Sequence, residues 1–250
     1  LRRKILIAAR PVPLHGQVVR AVLEDDYHHF RVRLSVQNDV IVDTRGEALR
    51  YPYSACPAAA ARLTDLHGKP VCEIAQQVYR LTDAAWNCTH MLDLAGFAMA
   101  AHANGVSQRS YDILVTDRVE NRYVATLARD CQPLLHWDMD GDTITTPGPF
   151  EGINIRAGFA GWALRELPVD LAEAALALRR GTVISIGRTR DLDSLDHADI
   201  TGHCYSQQPS IAETATRKRG STLDFGDRPD ALCRSDAEWI RFDDAPALSL

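Results

Sequence analysis

The stretch from Thr89 to Ala103 constrains the fold more than any other part of the chain. It is rich in Leu, Ala, Met and Phe, its apolar residues fall on nearly every helical face, and Asn104-Gly105 supplies a C-cap. A helix that is apolar all round has to be buried. The sequence therefore predicts a central helix that the rest of the chain covers, with Asn87 or Thr89 as its N-cap.

Segments that alternate apolar and polar residues precede and follow this helix, with turn signals at residues 37–39, 120–121 and 140–141. Strands on both sides of a helix are typical of the α+β class. Shorter helices are expected at 57–66, 71–81, 170–178 and 209–217, and a further strand at 182–186. We expect a single α+β domain over residues 1–250, with two antiparallel β-meanders packed around the buried helix: strand-rich 1–50, helical 56–104, strand-rich 110–157 and a mixed C-terminal segment 158–250.

Composition excludes several classes of function. The 250 residues are 46% hydrophobic and 24% charged, which is ordinary for a globular protein. The net charge of -5 argues against a nucleic-acid partner, because phosphates require a concentrated basic face. No run of 18 apolar residues and no secretory h-region is found, so we expect a cytoplasmic protein without membrane contact. The six cysteines form no CxxC pair, which indicates free thiols in a reducing compartment.

The first candidate site lies at the start of the predicted central helix. His90 falls in the first turn, where the helix dipole disfavours a charged imidazole. Asp93 follows three residues later on the same face, where it can orient the ring. Cys88 precedes the turn, where the dipole lowers the pKa of a thiol and suits it to metal binding or nucleophilic attack, although a cysteine there is more often a small buried residue. We predict that His90 is a catalytic base and that Asp93 orients it, although a purely structural pair is as compatible with the sequence.

Two adjacent histidines form the second candidate site, beside the acids of residues 24–26. Successive strand residues point to opposite faces, so only one of His28 and His29 can face a pocket. We expect that histidine to be the partner acid or base of His90, and a solvated turn is the alternative reading.

Two further segments are candidates for substrate contact. Residues 50–57 join a strand end to a helix start, where free backbone N–H groups can hold a carboxylate or an oxyanion. Residues 203–209 and the arginine that follows offer hydrogen bonds that orient a polar group. We predict Tyr53 as a proton donor or oxyanion stabiliser, and the following as substrate-binding residues: Tyr51, Cys56, Tyr205, Gln208 and Arg217. Packing of the turn and docking of the C-terminal segment are the structural alternatives.

Metal binding stays open as an alternative, because histidines and thiols from these segments could form a mixed zinc site. The local pair Cys88 and His90 is two residues apart on a helix, a spacing that does not converge on one point. The sequence has no GxGxxG after a strand, no Walker lysine and no GxSxG elbow. We therefore predict no cofactor and name no metal ligand.

Three motifs together resemble an uncharacterised bacterial family of unknown function. They are DYHHF at residues 26–30, CPxAAxxLxxLxG from Cys56 and CTHxxDL from Cys88. The resemblance covers roughly the first 200 residues of the chain. It implies that members belong to bacteria that degrade aromatic, steroid or similar apolar carbon sources, and it implies no catalytic assignment.

The expected function is cofactor-independent acid–base catalysis on a small apolar substrate, above all an aromatic one. The expected reaction is of the lyase type, such as retro-aldol cleavage or decarboxylation, in bacterial catabolism. Two alternatives stay open: a non-catalytic protein that binds small molecules, and a zinc-dependent hydrolase or lyase. The sequence is also compatible with a homodimer.

Overall fold

The structure is a computed structural model that describes residues 1–13 and 16–243. Its strands are β1 (Arg2–Val12), β2 (Gly16–Asp25), β3 (His29–Gln37), β4 (Val40–Arg50), β5 (Gln108–Val115), β6 (Arg122–Arg129), β7 (Gln132–Asp140) and β8 (Thr143–Ile144). They form one antiparallel sheet in the order β4-β3-β2-β1-β5-β6-β7-β8. Because β1 pairs with β5, the two predicted meanders are the two halves of a single sheet. The α+β class is confirmed.

The α-helices of the described residues are α1 (Thr89–Ala103), α2 (Phe159–Glu166), α3 (Val169–Ile184), α4 (Pro209–Ala212) and α5 (Ala237–Ile240). Short 3₁₀ helices fill much of the remaining chain: Cys56–Leu66, Ala75–Arg80, Ala84–Trp86, Ser185–Thr189, Leu192–Ser194, Tyr205–Gln207, Pro229–Ala231 and Arg234–Asp236. The helix predicted at 57–66 and the one predicted at 71–81 are therefore 3₁₀ helices. Residues 244–250 of the predicted mixed segment lie outside the described residues.

The central helix α1 is buried as its composition predicts. Met91, Leu94, Ala98 and Met99 are each 0% exposed. The helix packs on β1, β2 and β3, whereas α3 packs on β5, β6 and β7. The central helix is therefore covered by the first half of the sheet, and a second helix covers the other half. The N-cap is Cys88, which makes no side-chain cap bond, so the prediction of Asn87 or Thr89 at this position is wrong.

Two predictions for the second half of the chain are wrong. Residues 182–184 are not a strand, because they form the last turn of α3, where the Thr182 hydroxyl donates to the carbonyl oxygen of Leu178 at 2.9 Å. Packing of α3 on the sheet outweighs the strand preference of this β-branched run. The helix predicted at 209–217 ends at Ala212, because Thr216 and Arg217 are extended and bridge to His197 and Tyr53.

Gly96 marks a close approach between α1 and the 3₁₀ helix Ala75–Arg80. A Cβ atom at this position would lie 2.3 Å from the carbonyl oxygen of Ala75, so backbone would have to move. We expect Gly96→Ala to lower the free energy of unfolding by about 1–3 kcal/mol. Gly161→Ala in α2 meets open space and is expected to raise it by about 0.5–1 kcal/mol. Urea unfolding of both variants tests this, and an equal effect of the two substitutions would contradict it.

The C-terminal segment docks on the sheet through arginine–aromatic contacts. The guanidinium groups of Arg20 and Arg31 lie 5.1 and 5.0 Å from the Trp239 ring centre, and Arg20 lies 4.2 Å from the ring of Phe242. α5 lies against β1 and β2, and Arg31 of β3 also binds Asp236. Among the described residues, every helix falls short of the length and apolar character that a membrane span requires.

Candidate active site at the turn between β2 and β3

Asp25 organises the turn that joins β2 to β3. Its Oδ1 accepts hydrogen bonds from the backbone N–H groups of Tyr27 at 2.7 Å and His28 at 2.8 Å, and from Nδ1 of His28 at 3.0 Å. Its Oδ2 accepts from Nε of Arg3 at 2.9 Å and also from Nη2 of the same arginine. Asp25 is 0% exposed and Arg3 is 1% exposed. Because burial excludes water, these donors are what compensates the buried carboxylate.

The charge state of Asp25 fixes the orientation and tautomer of His28. Burial alone would raise the pKa of Asp25, but the charges of Arg3 and His28 and the hydrogen bond from His28 outweigh it and hold the pKa well below 3.8. The ionised carboxylate can only accept, so Nδ1 of His28 carries a proton. Nε2 of His28 is then the atom that can take up or release a proton, as in carboxylate–histidine pairs of hydrolases.

His90 stacks directly on His28. The ring centres are 3.9 Å apart and the planes differ by 29°, and Phe30 stacks on both rings at 5.7 and 5.8 Å. Burial lowers the pKa of His90 well below 6.5, and the nearby charges of His28 and Arg3 act in the same direction. His90 is therefore neutral near pH 7. Its Nε2 is buried and has no hydrogen-bond partner among the described residues.

His29 points to the other face of the sheet. Its Nε2 lies 2.8 Å from Oδ2 of Asp236, and its Nδ1 lies 3.5 Å from Oε1 of Glu24. Arg31 and Arg50 also bind these two carboxylates, at 2.5 and 3.3 Å. Both nitrogens of His29 thus face carboxylates of the protein itself, and this cluster ties the C-terminal segment to the sheet. His28 is the histidine that meets His90.

Asp93 does not orient His90, contrary to the sequence prediction. Its carboxylate accepts hydrogen bonds from the Tyr79 hydroxyl at 2.5 Å and from Nε of Arg180 at 2.9 Å. Residues three apart share a helix face, but His90 lies toward the turn between β2 and β3, whereas Asp93 lies toward α3. The carboxylate that orients a histidine of the pair is therefore Asp25, which binds His28. Asp93 forms an ion pair with Arg180 instead.

The segment that holds Tyr53 and Cys56 packs against the C-terminal part of the chain. Tyr53 forms a backbone bridge with Arg217, and its ring packs against a small cluster of buried alanines. Cys56 Sγ lies 3.3 Å from the Ser206 hydroxyl. Burial raises the pKa of Tyr53 and of the Cys56 thiol, so both groups are protonated at neutral pH. Tyr51 is partly buried against the main core.

The polar groups of the third predicted segment are largely engaged by the protein. The Gln208 amide donates to the carbonyl oxygens of Ala85 and Gly202. The Arg217 guanidinium binds Asp193, the carbonyl oxygen of Pro52 and the Thr222 hydroxyl, at 3.0, 3.2 and 2.7 Å. Tyr205 packs on the main core. The structure does not bring these residues to the His28–His90 pair, and their contacts hold the C-terminal segment in place.

The geometry of the Asp25–His28–His90 group does not fit a zinc ion, although one donor atom from each residue lies within 4.8 Å of the others. A zinc ion needs both imidazole lone pairs to point to it from about 2.0–2.1 Å. Each lone pair lies in the plane of its own ring. Because the two rings are stacked 3.9 Å apart, their lone pairs run alongside each other and do not meet at one ion. The Arg3 guanidinium also neutralises Asp25 and would repel a cation.

Sequence reasoning missed the residues that hold the histidine pair. Asp25 stands three residues before His28 at a strand end, and a short-range turn formed by an aspartate side chain is the signal that could have identified it. Arg3 carries no comparable signal, because it reaches the site through strand pairing, whereas Phe30 belongs to the DYHHF motif but had no role assigned to it.

One comparison with known proteins covers residues of this site. A family model described as a protein of unknown function (DUF2889) matches residues 8–104, so the chain is similar to that family over this range. The range includes Asp25, His28 and His90, but neither Arg3 nor the described C-terminal segment. The search of curated proteins and the search of solved structures gave no match.

Proposed function

We propose that the chain is a cofactor-independent acid–base enzyme in which His28 transfers the proton. The observation that carries the proposal is that a buried, ionised Asp25 holds His28 through Nδ1 while a neutral His90 stacks on its ring. A histidine held in this way can transfer a proton through Nε2. Both histidines lie in the range that matches the family model.

The roles of the three residues follow from their charges. Nε2 of His28 takes a proton from the substrate, and Asp25 stabilises the imidazolium that forms. Nε2 of His90, which is buried and has no partner in the described part of the chain, serves as the second hydrogen-bonding atom. In a retro-aldol cleavage, His28 would remove the hydroxyl proton, the carbon–carbon bond would break, and the enolate product would regain a proton.

The surroundings of the pair support an apolar, above all aromatic, substrate. Phe30 stacks on both histidines, and the Tyr27 ring lies edge-on to His28 at 6.0 Å. All six cysteines are free thiols, which supports the cytoplasm as the compartment. Lyase chemistry in bacterial catabolism, a small-molecule substrate and the absence of a nucleic-acid partner belong to the same proposal.

The proposal is tested by a reaction screen in the presence and absence of a chelator. Purified protein is incubated with small aromatic hydroxy acids and acids, and products are identified by mass spectrometry. We expect turnover to be unchanged after treatment with EDTA, because the stacked rings do not fit a metal. Turnover that EDTA abolishes and zinc restores would contradict this and support the zinc alternative. Binding of these compounds without any product would support the non-catalytic alternative.

A further inference from the structure

We propose that a cavity beside the candidate active site binds a small organic acid. The cavity has a volume of about 320 Å³ and lies between Tyr27, residues 187–193 and residues 222–224. This inference rests on the cavity's own residues and does not depend on the acid–base proposal. The Tyr27 ring separates the cavity from His28, since the two ring centres are 6.0 Å apart in an edge-on arrangement.

The Tyr27 hydroxyl is a buried donor in need of an acceptor. Tyr27 is 4% exposed, and its hydroxyl has no hydrogen-bond partner among the described residues. Burial raises its pKa, so the group is protonated and can donate. It lies against Gly187, where a Cβ atom would come within 3.0 Å of the hydroxyl oxygen. A ligand oxygen that reaches this hydroxyl after a small shift of the glycine segment would recover the free energy lost by burying it unpaired.

Arg190 supplies a positive charge at the same cavity. Its side chain is exposed, and within residues 1–13 and 16–243 no carboxylate pairs with it. Each carboxylate that lines the cavity already accepts a hydrogen bond or pairs with an arginine. Asp191 accepts from the backbone N–H of Asp193 at 3.0 Å, Asp193 pairs with Arg217 at 2.9 Å, and Asp224 pairs with Arg188 at 3.3 Å. The Arg190 guanidinium is therefore the charge that a ligand can neutralise.

The residues that line the cavity favour a ligand in which a carboxylate is attached to an apolar group. Leu192 and Leu223 line the cavity beside these polar groups. The nearby carboxylates repel a doubly charged phosphate more strongly than a singly charged carboxylate. A volume of this size is also at the lower end of small-molecule sites. The ligand class is therefore a small organic acid whose carboxylate meets Arg190 and whose second oxygen accepts from Tyr27.

The test is calorimetric titration of the full chain with benzoate and 4-hydroxybenzoate. Benzyl alcohol and inorganic phosphate are the matched neutral and multiply charged probes. We expect both acids to bind, and Arg190→Gln to weaken their binding about threefold to fivefold, because the ion pair with an exposed arginine is lost. Arg80→Gln removes another exposed arginine outside the cavity and is expected to change the affinity less than about twofold.

Two further variants test the hydroxyl. Tyr27→Phe removes the hydroxyl, and Gly187→Ala places a methyl group against it. Each variant is therefore expected to weaken the binding of 4-hydroxybenzoate about tenfold. His28→Asn is expected to bind the acids as the wild type does, whether or not turnover is found. The proposal is overturned if neither acid binds, if Arg190→Gln binds as tightly as wild type, or if benzyl alcohol or phosphate binds as tightly as the acids. Unchanged binding by both Tyr27→Phe and Gly187→Ala would overturn the role of the hydroxyl.

Discussion

Replacing Asp25 by alanine is expected to lower the free energy of unfolding by about 3–5 kcal/mol. The substitution leaves the Arg3 guanidinium, which is 1% exposed, buried without its counter-charge. It also removes the acceptor of two backbone N–H groups in the turn between β2 and β3. Urea unfolding at pH 7, monitored by circular dichroism, measures the effect.

Asp112→Ala is the matched control for this substitution. It breaks the ion pair between Lys4 and Asp112, whose side chains are 25% and 39% exposed and whose charged atoms are 3.1 Å apart. Exposed pairs of this kind contribute less than about 1 kcal/mol. If Asp25→Ala destabilises the protein no more than Asp112→Ala does, Asp25 is not the buried partner of Arg3.

The same ion pair gives stability a defined pH dependence. The pKa of Asp25 is lowered in the folded state, so its contribution is present above the ordinary value of 3.8 and is lost as the pH falls through the folded pKa. The pKa of His90 is also lowered, so protonation of the unfolded chain reduces stability as the pH falls below 6.5. We expect the stability difference between wild type and Asp25→Ala to persist down to pH 3.8 and to shrink below it.

Periodic apolar patterns predicted the framework well. The apolar run of α1 specified both its bounds and its burial, because a helix without a polar face has only one stable environment. The strands of both meanders were also found from their alternation. That the two meanders join through β1 and β5 could not be read from the pattern, since pairing between distant strands leaves no local signal.

The candidate site was predicted in part. The pairing of His28 with His90 brings together two segments that the sequence singled out. The role assigned to Asp93 failed, because helical spacing says which residues share a face but not which neighbour each one meets. Arg217 and Gln208 looked available for a substrate, yet long-range contacts within the chain take up their polar groups. Such contacts depend on how the C-terminal segment docks, which composition does not encode.

His28→Asn is expected to reduce turnover about a hundredfold to ten-thousandfold, the usual contribution of a general acid or base. The asparagine amide can still donate to Asp25 from nearly the position of Nδ1, so the turn and the ion pair with Arg3 are retained. What the variant lacks is Nε2, the atom to which we assign the proton transfer. Its melting temperature is therefore expected to stay close to that of the wild type while the rate falls.

His136→Asn is the matched control, because His136 is an exposed histidine on β7 whose only described side-chain hydrogen bond is a 3.3 Å contact with Asp138. It is expected to leave the rate and the melting temperature unchanged. The most direct test of the acid–base site is the initial rate of wild type, His28→Asn and His136→Asn, measured side by side in EDTA on the substrate that the screen identifies. We expect a rate loss of at least about a hundredfold for His28→Asn alone. A folded His28→Asn variant that turns over substrate at the wild-type rate would contradict it.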